Sequence, residues 1–328
     1  MERKNIAIVY GGYSSEEVIS RKSAEGIFSF IDKERYKLYP LLITKDKWSV
    51  ELEQQSFPVN KSDFSFDMNG SKVNLHFAYI TIHGTPGEDG ILQGYLKMLK
   101  IPHSTCDVLP ASLTFNKFVC NNYLKGFGIT VANAALVRNG IPYNVDDIAL
   151  KTGFPCFVKP NTGGSSFGVT KVKAIDELDS AIQKAFSESN EVIIEQFIDG
   201  MELTCGLYKT ADKTEIFPIT EVLSKNEFFD FEAKYTPEKV IEITPARISD
   251  EMTVNIQKSS SMIYDMLGCK GIIRVDYILS NNRPFLLEVN TTPGMTPTSF
   301  IPQQIKAAGL DIKTIFTEVI EDSFARNS

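Results

Sequence analysis

Paired cysteine spacing is missing from this chain. The five cysteines, Cys106, Cys120, Cys156, Cys205 and Cys269, are scattered, odd in number and never arranged as CxxC. That argues against a zinc cluster or a disulfide frame and suits the reduced thiols of a cytosolic protein. An excess of basic charge is missing as well. The formal net charge is −7, whereas a nucleic-acid-binding protein needs a basic footprint. An acidic total still leaves room for a locally basic pocket. No apolar run reaches membrane-spanning length, and the start, "MERKNIAIVYGG", has too short an apolar core for a signal peptide. The expectation is a cytoplasmic protein with neither a nucleic-acid nor a membrane partner. Both common nucleotide motifs, GxxxxGK[ST] and GxGxxG, are absent, and so are repeats and low-complexity tracts.

What remains is ordinary globular material. Hydrophobic residues make up 43% and charged residues 23% of 328, a length that predicts two or three packed domains. "NIAIVY" followed by "GGYSSEE" reads as a buried strand, a glycine turn and a helix start. Strand-like runs recur at "YKLYPLLIT" and "FAYITIH", and "EDGILQGYLKMLK" reads as a helix. This alternation predicts a parallel α/β unit over roughly the first hundred residues. "LPASLTFNKFVCNNYLKGFG" then reads as one helical pattern ended by Gly126 and Gly128. "FPCFVKPNTGGSSFGVTKV" reads as strand, glycine loop and strand, with an amphipathic helix over 176–188 and a strand at "EVIIEQFI". "ELTCGLY" and "TEIFPIT" form a hairpin, and the aperiodic, charged "SKNEFFDFEAKYTPEK" is expected to be a mobile lid.

The most informative stretch is "GIIRVDYILSNNRPFLLEVN", read as a hairpin turning at Asn281–Arg283. A three-residue loop pairs Ser280 with Pro284, Asp276 with Glu288 and Arg274 with Asn290. The side-chain period of two then puts Ile273, Val275, Tyr277 and Leu279 on one face with Phe285, Leu287 and Val289. The other face collects Arg274, Asp276, Glu288 and Asn290. Directly opposed carboxylates destabilise a sheet unless a cation lies between them. Arg274 could serve in part, giving a salt-bridged surface patch. The alternative is a divalent metal: three hard oxygen ligands with no histidine or cysteine nearby suit Mg²⁺ or Mn²⁺.

Several other stretches suit phosphate. "VKPNTGGSSFG" follows a strand carrying Lys159 and offers Gly163, Gly164, Ser165, Ser166 and Gly168, whose amides and hydroxyls can approach an anion closely. Taken alone it is a hairpin turn. Glu16 near a helix start either favours the dipole or binds a substrate ammonium. His83 stands at a strand end in "TIHGTPGEDG", where α/β sheets bind ligands, although a lone histidine is often structural. Lys117 and Lys234 would by default be solvated.

In order along nearly the whole chain, "GGYSSEEVIS", "IHGTPGEDGILQGYL", "VKPNTGGSSFGV", "IIEQFIDGMELT", "FDFEAKY", "RVDYIL" and "LLEVNTTPGMTPTS" resemble the D-alanine–D-alanine ligases of the ATP-grasp superfamily. The resemblance implies an α/β (α+β) chain with a three-domain ATP-grasp fold. It has an N-terminal α/β domain at 1–105, a central subdomain at 106–196 and a C-terminal subdomain at 197–328. It also implies that one D-alanine carboxylate attacks the γ-phosphate of ATP to give an acyl phosphate, which the amine of a second D-alanine then displaces. By the same resemblance, Lys117 and Lys159 meet the α- and β-phosphates and Lys234 the γ-phosphate, with Ser166 in the glycine loop. Glu195, Gln196, Phe197 and Ile198 form the adenine hinge, and Glu202 meets the ribose. Asp276, Glu288 and Asn290 hold two Mg²⁺ or Mn²⁺ ions. Arg274 and the Gly294 amide stabilise the oxyanion, and Ser299 and Phe300 receive the second D-alanine. Glu16 holds the first ammonium, linked through Ser165 to Tyr235, while His83 lies near the substrate carboxylates. Tyr235 stands where D-lactate-using relatives have phenylalanine, and a homodimer is the usual state of the family.

Three departures, the uncharged "NTGGSS", Phe229 and Phe231 in the lid, and Pro297–Thr298, bear on lid motion and acceptor affinity rather than on reaction type. Two competing readings are another ATP-grasp carboxylate–amine or D-alanine–D-lactate ligase, and a nucleotide-binding regulatory module without turnover. Three lysines, an oxyanion arginine and a metal set exceed what binding alone needs.

Overall fold

The computed structural model of the chain describes residues 3–14, 16–163, 168–224 and 240–326. Gly164, Ser165, Ser166, Phe229, Phe231, Lys234 and Tyr235, with the expected lid apart from Ser224, lie outside the described residues.

The first sheet grows from a parallel centre. β1 (Lys4–Gly11) pairs in parallel with β2 (Tyr36–Ile43) and β7 (Phe77–Ile80), and α1 (Glu17–Phe30) forms the crossover. β1 is apolar on both faces and buried from Ile6 onward, as a parallel strand covered on both sides must be. The parallel unit expected from the sequence is present, but it is only three of the sheet's seven strands. β3 (Trp48–Leu52), β4 (Gln55–Asn60), β5 (Ser65–Met68) and β6 (Ser71–Asn74) extend it as an antiparallel meander beyond β2. Left-handed residues at Glu53, Phe64 and Asn69 turn the chain there.

α2 (Ile91–Met98) ends the first block. The single helical pattern read after it is two helices, α3 (Val108–Phe115) and α4 (Lys117–Lys125). Asn116 breaks them: its backbone is extended and its side chain accepts the Val119 N–H, so it caps α4. β8 (Ala134–Arg138), β9 (Cys156–Pro160), β10 (Thr170–Val172) and β11 (Glu191–Gln196) make a four-stranded sheet in the order β10-β9-β11-β8. α5 (Val145–Thr152) and the amphipathic α6 (Ile175–Phe186) cover it.

The third sheet contains β12 (Met201–Lys209), β13 (Thr214–Ile216), β14 (Thr220–Ser224), β15 (Val240–Ile243), β16 (Ile273–Ser280) and β17 (Arg283–Asn290). α7 (Asp250–Leu267) packs behind it, and α3 and α4 lie against β17. α8 (Phe300–Ala307) and α9 (Ile312–Arg326) carry Ile301, Ile305, Ile315 and Phe316 into the core under the first sheet, beside Ile6, Ile27 and Phe77. The C-terminal helices therefore tie the third sheet to the first.

The β16–β17 hairpin corrects one expectation and keeps another. Its turn has two residues, Asn281 and Asn282, both left-handed (φ 49° and 58°), so Ser280 pairs with Arg283 and Leu279 with Pro284. Two asparagines tolerate the mirror-image turn that matches strand twist, which a three-residue loop would not exploit. A register shift beyond Tyr277 leaves Leu287 as an extra residue. Asp276 then faces Glu288 and Arg274 faces Asn290, as the sequence reading expected. The bulge also swaps two leucines: Leu286 is buried in the core and Leu287 turns to the cleft.

Candidate active site

The three sheets meet around a cleft of about 1900 Å³. Ordinary small-molecule sites are about 300–1,000 Å³, so this one has room for a nucleotide and small substrates together. Glu16, His83, Lys117, Lys159, Glu195, Phe197, Ile198, Glu202, Arg274, Asp276, Glu288, Asn290, Gly294, Ser299 and Phe300 all line it. Gln196 does not: it ends β11 with its N–H donating to the Asn133 carbonyl.

At one end lie the groups suited to a nucleotide. Lys159 on β9 reaches Glu195 on β11, Nζ to Oε2, at 2.6 Å, with both side chains largely buried. Each charge offsets the desolvation of the other, and a polyanion entering here would compete for the lysine. Phe157 and Phe197 pack 5.8 Å apart, and the Lys171 ammonium lies 4.3 Å over the Phe197 ring. Leu287 and Ile278 add an apolar floor. Together these make a slot for a flat ring beside a cationic rim. Lys117, the first residue of α4, donates to the Gly163 carbonyl at the start of the glycine loop and stands 3.7 Å from Glu288 Oε2.

The centre is the Arg274/Asp276/Glu288/Asn290 face. Arg274 forks onto Asp276 two residues along its own strand, with Nε–Oδ1 at 2.9 Å and Nη2–Oδ2 at 2.8 Å. Burial works to lower the pKa of Arg274, and the carboxylates of Asp276, Glu288 and Glu202 more than offset it, holding the guanidinium charged. Asn290 Nδ2 lies 3.5 Å from Glu288 Oε1. Among the described residues no group of three or more His, Cys, Asp or Glu could hold a metal. The donor set here is two facing acids and an amide. These hard oxygens fit magnesium or manganese, provided substrate phosphates and water complete the coordination shell.

At the far end, Glu16 precedes α1 and is buried, with Gly84 packed close to its carboxylate. His83 is buried beside it, its Nε2 3.5 Å from Ser23 Oγ, which also accepts the Met295 N–H. Burial lowers the His83 pKa, and Glu16 partly opposes that, so the ring is neutral at pH 7. α8 begins at Phe300, whose ring lies 5.4 Å from the Arg274 guanidinium carbon. Ser299 Oγ accepts the Thr296 N–H at 3.0 Å, and Gly294 packs so close that a Cβ there would meet Ser299 Oγ at 3.1 Å.

Glu88, which the sequence does not single out, also lines the cleft. Glu88, in "GEDG", accepts the Gly84 N–H at 2.7 Å. Burial, reinforced by the nearby Glu16 charge, pushes its carboxyl up to about 8. An acid between glycines on the segment after His83 is the available signal, a weak one at the start of a helical pattern.

Known proteins agree with this geometry. A family model described as D-ala D-ala ligase N-terminus matches residues 5–106, and one described as D-ala D-ala ligase C-terminus matches residues 123–321. A D-alanine–D-alanine ligase of Bacteroides fragilis is 58% identical over 98% of this chain and 100% of its own length. One from Porphyromonas gingivalis is 52% identical over 98% of each. The structure of the VanG D-Ala:D-Ser ligase from Enterococcus faecalis superimposes with a TM-score of 0.87 at 31% identity, covering 98% of this chain and 100% of that one. A D-alanine–D-alanine ligase from Bacillus anthracis complexed with ATP gives 0.78 at 28% identity, covering 99% and 98%. With sheets, cleft and full-length relatives in accord, the chain belongs to the D-alanine–D-alanine ligase family.

Proposed function

We propose that this protein joins two D-alanines into D-alanyl-D-alanine with ATP, through a D-alanyl phosphate, as a cytoplasmic step supplying peptidoglycan precursors. The observation that carries this reading is a single cleft in which Lys117 and Arg274 flank two facing acids, with Lys159 toward one end and the start of α8 toward the other. Lys117 and Lys159 bind the phosphates, the slot at Phe197 and Ile198 takes the adenine with Glu195, and Glu202 takes the ribose. Glu16 holds the ammonium of the first D-alanine near neutral His83. Arg274 and the Gly294 amide face the oxygen that gains charge when the acyl phosphate is attacked, which is where electrostatic stabilisation counts most. Ser299 and Phe300 receive the second D-alanine. Two Mg²⁺ or Mn²⁺ ions, held by Asp276, Glu288 and Asn290, would neutralise phosphate charge.

From the resemblance we also infer that Lys234, Ser165, Ser166 and Tyr235 complete the site, and that the domains run 1–105, 106–196 and 197–328. A homodimer is supported by Ile91 and Met98, exposed a heptad apart on α2, beside exposed Leu109 on α3.

Incubation with D-alanine, ATP and Mg²⁺ should yield dipeptide, ADP and phosphate in equal amounts. Phosphate release without any joined product, across D-alanine, D-serine and D-lactate as acceptors, would exclude a ligase. Tyr235→Phe should raise D-lactate use relative to D-alanine.

A further inference from the structure

A pocket that takes a small zwitterion needs a feature that attracts its anion and another, close by, that attracts its cation. The first is α8. Ser299 at its N-cap makes no side-chain hydrogen bond to the first turn, so the helix presents its N-terminal amides and dipole to the cleft. The second is Glu242 on the edge strand β15, which lines the same cleft. Its Oε2 accepts from Gln303 Nε2 at 2.5 Å, and Gln303 Nε2 also donates to the Thr298 carbonyl at 2.6 Å. Gln303 lies four residues after Ser299, on the same face of α8, where Cβ atoms are roughly 5–6 Å apart. The glutamine amide thus bridges the Glu242 carboxylate and the Thr298 carbonyl just ahead of the N-cap, which tethers the acid beside the start of α8. Although Glu242 opens on the cleft, the walls around it desolvate its carboxyl and raise its pKa, while Gln303 and the more distant Arg274 pull the other way. A cation arriving there would relieve that desolvation.

We propose that Glu242, positioned by Gln303, binds the ammonium of the acceptor amino acid while the α8 N-terminus binds its carboxylate. The pair thereby selects amino acids over hydroxy acids at the second substrate position. This rests on the acceptor pocket assigned above to Ser299 and Phe300. A hydroxy acid carries the same carboxylate without the ammonium. It forfeits the charge-assisted contact and brings net negative charge toward Glu242, so selection has both an attractive and a repulsive part.

The test is steady-state kinetics of Glu242→Gln with saturating ATP and Mg²⁺, resolving the two D-alanine KM values, and competition between D-alanine and D-lactate as acceptors read by mass spectrometry. Loss of a charged hydrogen-bond partner predicts a rise of about tenfold or more in the second-site KM. The first-site and ATP KM values should stay within about twofold. The depsipeptide-to-dipeptide ratio should rise, and Glu242→Asp should recover part of the second-site affinity. An unchanged second-site KM and product ratio would overturn the proposal, as would a parallel rise of all three constants, which marks a merely structural role. A wild-type protein that forms no dipeptide would defeat the ligase reading itself, whereas an active wild type matched by Glu242→Gln would defeat only the role of Glu242.

Discussion

Two carboxylates facing across a strand pair repel one another by a few tenths to about 1 kcal/mol. Asp276 and Glu288 persist because Arg274 forks onto the first and Lys117 stands 3.7 Å from the second. Glu288→Gln keeps the size of the side chain and removes the repulsion, so the unfolding midpoint should hold or rise slightly. Turnover should nevertheless fall by about a hundredfold or more, the scale seen when one preorganised electrostatic group is removed. Dipeptide synthesis and thermal melting measured on the same preparation check both halves, and near-normal turnover would contradict the metal assignment. The acids, Arg274 and the lysines were legible as residue types in a recognisable order. Glu88 and Glu242 were not: an acid between glycines is a weak signal for the first, and the second has none in the sequence. One becomes special through burial beside Glu16, the other through a glutamine sixty-one residues away.

At the scale of elements, the position of α8 sets the acceptor pocket, and a glycine on β12 sets the position of α8. A Cβ on Gly206 would come within 2.4 Å of Ile301, 2.5 Å of Gln304 and 2.9 Å of Phe217. Gln304 Oε1 also accepts the Gly206 N–H at 3.0 Å and its amide group donates to the Thr204 carbonyl. Gly206→Ala should therefore cost about 1–3 kcal/mol by overpacking and raise the second D-alanine KM more than that of ATP. Urea unfolding and initial rates test the two effects separately. The β16–β17 hairpin shows how an element can be misread at its tip and read correctly at its site. Alternation gave the right face for Asp276 and Glu288, whereas the turn type and the bulge depended on the left-handed backbone of two asparagines. The β3–β6 meander went unread because its strands are only four to six residues long and their burial follows no steady alternation.

For the whole molecule, the joints between blocks carry their own chemistry. His103, bridged to β7 by its backbone, lies beside Asp107, which pairs with Lys270 at 2.7 Å. Burial depresses the His103 pKa to about 4, against Asp107, which pulls it up. The folded state thus binds its proton less readily than the unfolded chain, so stability is full above about pH 6.5 and falls as pH drops toward 4, by roughly 3 kcal/mol at most. His103→Gln should flatten that part of the pH–stability curve in denaturant titrations. Nucleotide should act in the other direction: a non-hydrolysable ATP analogue with Mg²⁺ at a hundred times its Kd should stabilise by about 2.7 kcal/mol, and chelation of the metal should remove most of that shift in a thermal melt. From sequence alone came the parallel strand–helix start, the strand–glycine–strand loop and the acid pair on one face, because side-chain period and turn residues are local properties of the chain. Only the tertiary structure decided that C-terminal helices close the core under the first sheet, that Leu287 turns into the cleft, and that Gln303 ties Glu242 to the start of α8. Those depend on which surfaces are buried against each other, and burial, unlike period, is a property of distant residues meeting.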